Sequence, residues 1–229
     1  MNPIVLIASH ERIDITTRNI ESLFRQSVKP HIWVVCSNHQ EYNHYMSLGI
    51  TAFICPNKPL GAKWQYPISF CTDSQWFQEW ELNPLIICGS DDILGDGFIK
   101  RACELVEQGN HFIGLQRFWQ HHKGRAYLCD YLPHMPIGGA RVYSGEMLKK
   151  INYSVFDPNA DRHLDEWGWN KARTSLLKVK WVRDTEKEGL EVHAIKGDWP
   201  VMNPFTVKHK NLKLLRNEPS EKVLPSFFK

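Results

Sequence analysis

The sequence predicts an α/β protein with a central, mostly parallel sheet flanked by helices and a small antiparallel region in its later half. Three observations predict it. Short continuous apolar runs at residues 4–9, 31–36, 51–55 and 85–88 are rich in Ile and Val, the pattern of strands buried on both faces. Segments with helical spacing separate the first three runs, so strand, helix, strand, helix, strand is a doubly wound start with right-handed crossovers. The fourth run, bounded by Pro84 and Gly89, ends in adjacent carboxylates, Asp91 and Asp92, at the carboxyl end of a strand, where α/β sheets bind ligands.

The elements follow in order. Residues 4–9 form the first strand, and the polar Ser9-His10-Glu11-Arg12 follows it. Asp14 is in position to cap a helix whose apolar residues Ile15, Ile20, Leu23 and Phe24 recur at helical spacing. Residues 31–36 are the second strand, Ser37-Asn38 leads into a short helix to Leu48, and residues 51–55 are the third strand. Pro59 and Gly61 mark a loop at residues 57–64. Lys58 and Lys63 flank the start of a helix running through Cys71, and free N–H groups there beside two cations would suit a diphosphate or nucleoside. Trp76 to Trp80 leads to the fourth strand.

Oxygen ligands on the tight turn at Asp91 and Asp92 suit a hard divalent ion, Mg²⁺ or Mn²⁺, that also holds a diphosphate; the same turn could simply supply an acidic cap for the helix starting near Gly97. That helix buries Phe98, Ile99, Ala102, Leu105 and Val106 and ends at Gly109. Residues 112–118 read as one strand, and residues 127–131 as its antiparallel partner. His121 and His122 point to opposite faces of a strand, so they do not share an ion. Gly138-Gly139 permits close backbone approach to a ligand, and Ser144 caps a helix containing Met147, Leu148 and Ile151. A second acidic cluster follows, Asp161, Asp165 and Glu166 beside Trp167 and Trp169; on a helix, Asp161 and Asp165 share a face. Late strands are expected at residues 179–182 and 190–197, the latter carrying His193 and Lys196.

At 229 residues the chain suits one sizeable core. Nine Trp and 12% aromatics are high; surplus aromatics can belong to the core, and they also line clefts that stack on sugar rings or bases. The net charge of +3 does not by itself indicate nucleic acid. Lys208, Lys210, Lys213, Arg216, Lys222 and Lys229 place the positive excess in a basic tail, residues 206–229, which reads as a solvated arm. The six cysteines lack metal-ligand spacing and no secretory signal precedes them, so they read as reduced thiols of a cytoplasmic protein. No stretch approaches the ~20 apolar residues that cross a membrane.

Taken together, these parts resemble a GT-A fold glycosyltransferase of the family 2 type over residues 4–205. The resemblance rests on the N-terminal strands, the loop at residues 57–63, Ser90-Asp91-Asp92, Gly138-Gly139-Ala140-Arg141, and Asp165-Glu166-Trp167. It implies a single domain, with a nucleotide-binding part at about residues 1–110 and an acceptor part at about 111–205. The family pattern at the metal turn is Asp-x-Asp, and this chain has Ser90 in the first place. The resemblance then implies Asp92 and His193 as metal ligands for Mn²⁺ or Mg²⁺, and Asp91 as a contact to the ribose or the ion. It places a nucleotide-sugar donor, a UDP-sugar, against Ala8, Ser9, Glu11, Arg12 and Lys63, with Gly138, Gly139 and Arg141 bordering donor and acceptor. Asp165 or Glu166 would be the base of an inverting transfer to an acceptor hydroxyl, on a glycan or a hydroxymethylated DNA base.

Two other readings use the same residues. A nucleotidyltransferase shares similar topology but normally carries a Gly-rich, Lys/Arg-containing loop after its first strand, which Ser9-His10-Glu11-Arg12 is not. A catalytically idle nucleic-acid-binding module would use the basic tail and exposed aromatics, with steep salt dependence.

Overall fold

The computed structural model describes residues 1–72, 83–131, 135–196 and 212–225. The expected Trp76–Trp80 segment, the domain boundary at residue 205, and Lys208, Lys210 and Lys229 lie outside these.

A seven-stranded sheet forms the centre, in the order β10-β6-β9-β4-β1-β2-β3. Its strands are β1 (Ile4–Ala8), β2 (His31–Cys36), β3 (Thr51–Ile54), β4 (Leu85–Gly89), β6 (Phe112–Leu115), β9 (Arg141–Tyr143) and β10 (Val179–Val182). The pairs among β1, β2, β3 and β4 are parallel, as is β10 with β6, while β9 runs antiparallel between β4 and β6. The two-residue period of a strand divides the apolar runs between two cores: Val5, Ile7, Val34, Ile86 and Cys88 pack on one face, and Leu6, Trp33, Val35, Leu85 and Ile87 on the other. This is the Rossmann-like α/β fold that the sequence predicts.

The expected helices form at Ile13–Arg25, His39–Ser47, Leu60–Thr72, Phe98–Glu107 and Gly145–Lys150. Ser144 caps the last of these by accepting from Met147 N. Asp14 does not cap the first helix; Arg12 holds that position, and Asp14 sits in the first turn, where its charge complements the helix dipole. Asp161 does not share a helix face with Asp165, because the helix begins only at Leu164. Instead its Oδ1 accepts from Leu60 N at 2.8 Å, and the Ala160 carbonyl accepts from Gly61 N. The helix start at residue 60 is therefore occupied by its own protein and offers no empty anion site there.

Three differences concern a second sheet, ordered β12-β8-β7-β11-β5. Asp92 opens a short strand, β5 (Asp92–Leu94), that leaves the first sheet after Gly89 and pairs antiparallel with β11 (Val192–Ile195). The single strand expected at residues 112–118 is split at Gln116, beyond which β7 (Arg117–His122) joins the second sheet. Gln116 explains the split, since its N–H bonds Val182 O in the first sheet while its carbonyl accepts from Tyr131 N of β8 (Arg125–Tyr131). The described part of the basic tail begins with β12 (Leu212–Pro219), an edge strand paired antiparallel with β8 along its length, and continues into a short helix at Ser220–Val223, so it is not a free arm. All six cysteines are free thiols. No helix among the described residues is long and apolar enough to cross a membrane.

Candidate active site

The two sheets face each other across a cavity of about 630 Å³. Its first wall is the carboxyl end of the central sheet: Ala8 and Gly89 from the ends of β1 and β4, then Ser9, His10 and Arg12 from the loop after β1. Asn57, Lys63 and Trp64 extend this wall. The opposite wall is the inner face of the second sheet, carrying Phe118 and Gln120 of β7, Tyr131 of β8, Val192 and Ala194 of β11, and Leu212 of β12. Asp91, Asp92 and Lys196 lie where the walls meet, and Gly138, Gly139 and Asp165 close one side. A smaller pocket of about 260 Å³ shares Trp64, Gly89, Asp92, Gly138, Gly139 and Asp165 with it, so the two are one continuous recess.

At the junction, Lys196 Nζ donates to Asp91 Oδ2 at 2.8 Å, and Ile195 N donates to the Asp91 carbonyl at 2.8 Å. Arg12 Nη1 lies 4.0 Å from Asp91 Oδ1 and donates to Ser90 Oγ at 3.3 Å. Two cations from different sheets therefore converge on one carboxylate, and phosphate oxygens could take its place beside them. Asp92 Oδ2 accepts from Gly89 N at 3.2 Å. Its carboxyl pKa is pushed up to about 6, first by desolvation and then by the neighbouring Asp91 charge, against the pull of Lys196.

Ser9 and Lys63 belong to a network behind the first wall. Ser9 Oγ donates to Glu41 Oε1 at 2.7 Å, which leaves the Tyr45 hydroxyl, also at 2.7 Å, to donate to Ser9. Lys63 is fully buried; its ammonium donates to the Ser9 carbonyl, to Ser37 Oγ at 2.6 Å and to Asn57 Oδ1 at 3.1 Å. With its three donors engaged, it ties the ends of the first two strands to the Asn57 loop. Burial lowers its pKa to about 8, against the opposing charge of Glu41.

Of the residues singled out from sequence, Ala8, Ser9, Arg12, Lys63, Asp91, Asp92, Gly138, Gly139 and Asp165 meet around this cavity. Four do not. Glu11 is exposed, away from the lining. Glu166 is also exposed, with Oε2 3.6 Å from His163 Nδ1, so of the two acids only Asp165 faces the cavity. Arg141 is buried and lines only the smaller pocket, where its Nε donates to Gly138 O at 2.9 Å and its Nη1 to Asp165 O at 3.0 Å; it fixes both cavity-side segments. His193 lies on the far face of β11. Val192 and Ala194 line the cavity, so strand alternation turns His193 away, onto His121 at 3.0 Å (Nδ1 to Nε2). It does not reach Asp92 as a co-ligand.

Sequence reasoning missed the contribution of His10, Asn57, Phe118, Gln120, Tyr131 and Lys196 to the lining. For Lys196 a signal existed, since Val192, Ala194 and Lys196 alternate on one strand face. For Gln120 and Tyr131 none did, because the strand break at Gln116 that turns them inward has no sequence marker.

No protein-family model matches the sequence, and no curated protein is significantly similar to it. Among solved structures the chain resembles a 4-diphosphocytidyl-2C-methyl-D-erythritol synthase, with a TM-score of 0.52 and 8% identity, covering 80% of this chain and 88% of that one. It also matches a CMP:2-keto-3-deoxy-manno-octonic acid synthetase complexed with CTP, with a TM-score of 0.47 and 9% identity, over 86% and 90% of the two chains. The first likeness is one of fold, and it corrects the expectation of a metal-dependent family 2 glycosyltransferase. The fold that carries those five features is one this chain shares with a synthase that is not a glycosyltransferase by name, so their order does not identify glycosyl transfer.

Proposed function

We propose that the chain is a nucleotidyltransferase, which binds a nucleoside triphosphate, CTP being the first to test, and transfers its nucleoside monophosphate unit to an oxygen of a small polar acceptor. The observation that carries this reading is the convergence of Arg12 and Lys196 on the Asp91-Asp92 turn inside the cavity. The Gly-rich basic loop normally expected after the first strand is absent, but Arg12 and Lys196 supply cations at the same strand ends by another route.

In the reaction, the acceptor oxygen forms a bond to the α-phosphorus while the bond from that phosphorus to the bridging oxygen breaks, and its electron pair leaves with diphosphate. Arg12 and Lys196 would offset the charge growing on that leaving group. The nucleoside would lie against Ala8, His10 and Asn57. Asp165, across the cavity, would accept the proton of an acceptor hydroxyl. Mg²⁺ or Mn²⁺ fits the donor set here: such an ion usually takes one or two carboxylates from the protein and the rest from phosphates and water, and Asp92 with Asp91 offers that number. Among the described residues no group of three or more His, Cys, Asp and Glu would hold an ion alone. When bound, the ion would add positive charge beside the phosphates.

Calorimetric titration with CTP, UTP, GTP and ATP tests the reading. CTP should bind, and Arg12→Met and Lys196→Met should each weaken it by roughly tenfold or more. Failure of all four to bind at about 1 mM would overturn the assignment, since that limit corresponds to only about 4 kcal/mol of binding.

A further inference from the structure

Gln120 is 5% exposed, lines the cavity, and has no side-chain hydrogen-bond partner among the described residues. Its amide atoms are not sealed off from the cavity and bond nothing within the described chain, so they are free to take a partner from a ligand there. Its place on the sheet narrows what that partner is. Gln120 pairs with Ala194, which pairs with Asp92, so the three form one cross-strand row with the shortest side chain in the middle. Two inter-strand spacings put Gln120 about 10 Å from Asp92 along the sheet. Phe118, two residues earlier on the same face, offers an apolar surface beside it.

We propose that Gln120 determines acceptor specificity by hydrogen-bonding the hydroxyls of a sugar or polyol acceptor; this rests on the nucleotidyl-transfer reading above. A carboxamide offers both a donor and an acceptor and carries no charge, which matches hydroxyls, themselves donors and acceptors, better than it matches phosphate. Phosphate charge is served instead at Arg12 and Lys196, on the other side of Ala194. The Phe118 ring supplies the apolar surface on which the C–H face of such a ring rests. The nucleobase is left to the opposite wall, at His10 and Asn57.

Gln120→Leu removes the amide at nearly constant shape. In the ligand-free protein it should not lower the melting temperature, because the amide it deletes bonds nothing within the described chain; a fall would mean that Gln120 already serves the fold, and would overturn the proposal. Binding is then measured with ribitol, glycerol 3-phosphate, ribose 5-phosphate and glucose 1-phosphate on protein saturated with α,β-methylene-CTP. At least one should bind the wild type and bind Gln120→Leu about tenfold more weakly, while the affinity for the CTP analogue stays within about twofold. Binding of none of the four, equal binding to both proteins, or a parallel loss of CTP-analogue affinity would each overturn it, the last by assigning Gln120 to the nucleobase. If no nucleotide binds, the nucleotidyl reading fails separately, and the melting and polyol arms still test Gln120 on the free protein.

Discussion

Gly139 lies so close to Asp92 that a Cβ built on it would stand 2.3 Å from Asp92 Oδ2. A Cβ on Gly89 would stand 2.5 Å from the same oxygen, so two glycines of different strands and loops hold this carboxylate between them. Because the clashing atom is the far end of a short side chain, Gly139→Ala is relieved by rotating Asp92 and not by moving backbone. The variant should therefore fold, with stability reduced by about 1 kcal/mol or less, yet lose at least tenfold in diphosphate release. Gly138→Ala meets Asp165 only at an ordinary 3.7 Å and should lose less. Equal losses in both, read from kcat with CTP, would contradict the geometry.

The Lys196–Asp91 pair separates stability from binding. Side-chain exposures of 13% and 9% make it a mostly buried pair, so removing one partner strands the other's charge. Lys196→Met should lower the unfolding free energy by about 1–3 kcal/mol, tempered by Arg12 at 4.0 Å from the same carboxylate. Adding Asp91→Asn should restore most of that stability without restoring CTP affinity. The check is a double-mutant cycle by urea denaturation alongside titration; full recovery of affinity in the double variant would remove Lys196 from the proposed phosphate site.

Asp92 gives the second sign. Its folded pKa, near 6, stands above the ordinary carboxylate value, so between about pH 4 and 6 the folded state holds a proton that the unfolded state has lost. The contribution of this group is greatest at low pH and falls as pH rises through 6. Asp92→Asn should therefore stabilise the protein at pH 7, by roughly 1–3 kcal/mol, with the gain vanishing below about pH 4, while transfer is lost. Denaturation at pH 4 and 7 in EDTA reads this directly. A variant less stable than wild type at pH 7 would show that the ionised carboxylate is held favourably.

Most of the fold is legible in the sequence because its signals are local. The apolar runs around Leu6, Val34 and Ile86 name their strands, and Ser144 marks its helix start. The carboxyl-end rule likewise points to Asp91, Asp92 and the Ser9–Arg12 loop. What escapes is non-local. Nothing near Gln116 shows that its N–H and carbonyl will bridge Val182 and Tyr131, so the second wall of the cavity could not be drawn. Asp161 reads as half of a same-face acidic pair, yet its partner is Leu60 N, 101 residues away in sequence. His193 reads as a late metal ligand by position alone; the register of β11 turns it away. The reaction class failed for a different reason, since strand order and an acidic turn belong to the fold rather than to one chemistry.

The displaced histidine supplies a last prediction. His121 and His193 share a hydrogen bond at 3.0 Å on the far side of the second sheet, and His121 Nδ1 lies 3.1 Å from Ser220 Oγ, on the chain just after β12. Burial lowers the pKa of His121 to about 4; burial, with the His121 charge adding to it, lowers that of His193 to about 3. Both rings are neutral in the folded state down to these values, whereas the unfolded chain takes up protons from about pH 6.5. Their contribution is thus fully present above pH 6.5 and is lost as pH falls toward 4, a slope opposite to that of Asp92. Asp92→Asn should steepen acid unfolding and His193→Gln should flatten it, giving a smaller stability difference between pH 7 and 4.5 than wild type by about 1–3 kcal/mol. Because His193 faces away from the cavity, His193→Gln should also leave Mn²⁺-dependent CTP binding within about twofold, where Asp92→Asn weakens it by tenfold or more. A tenfold loss in His193→Gln would return the imidazole to the proposed metal site and require β11 to rotate from the register described.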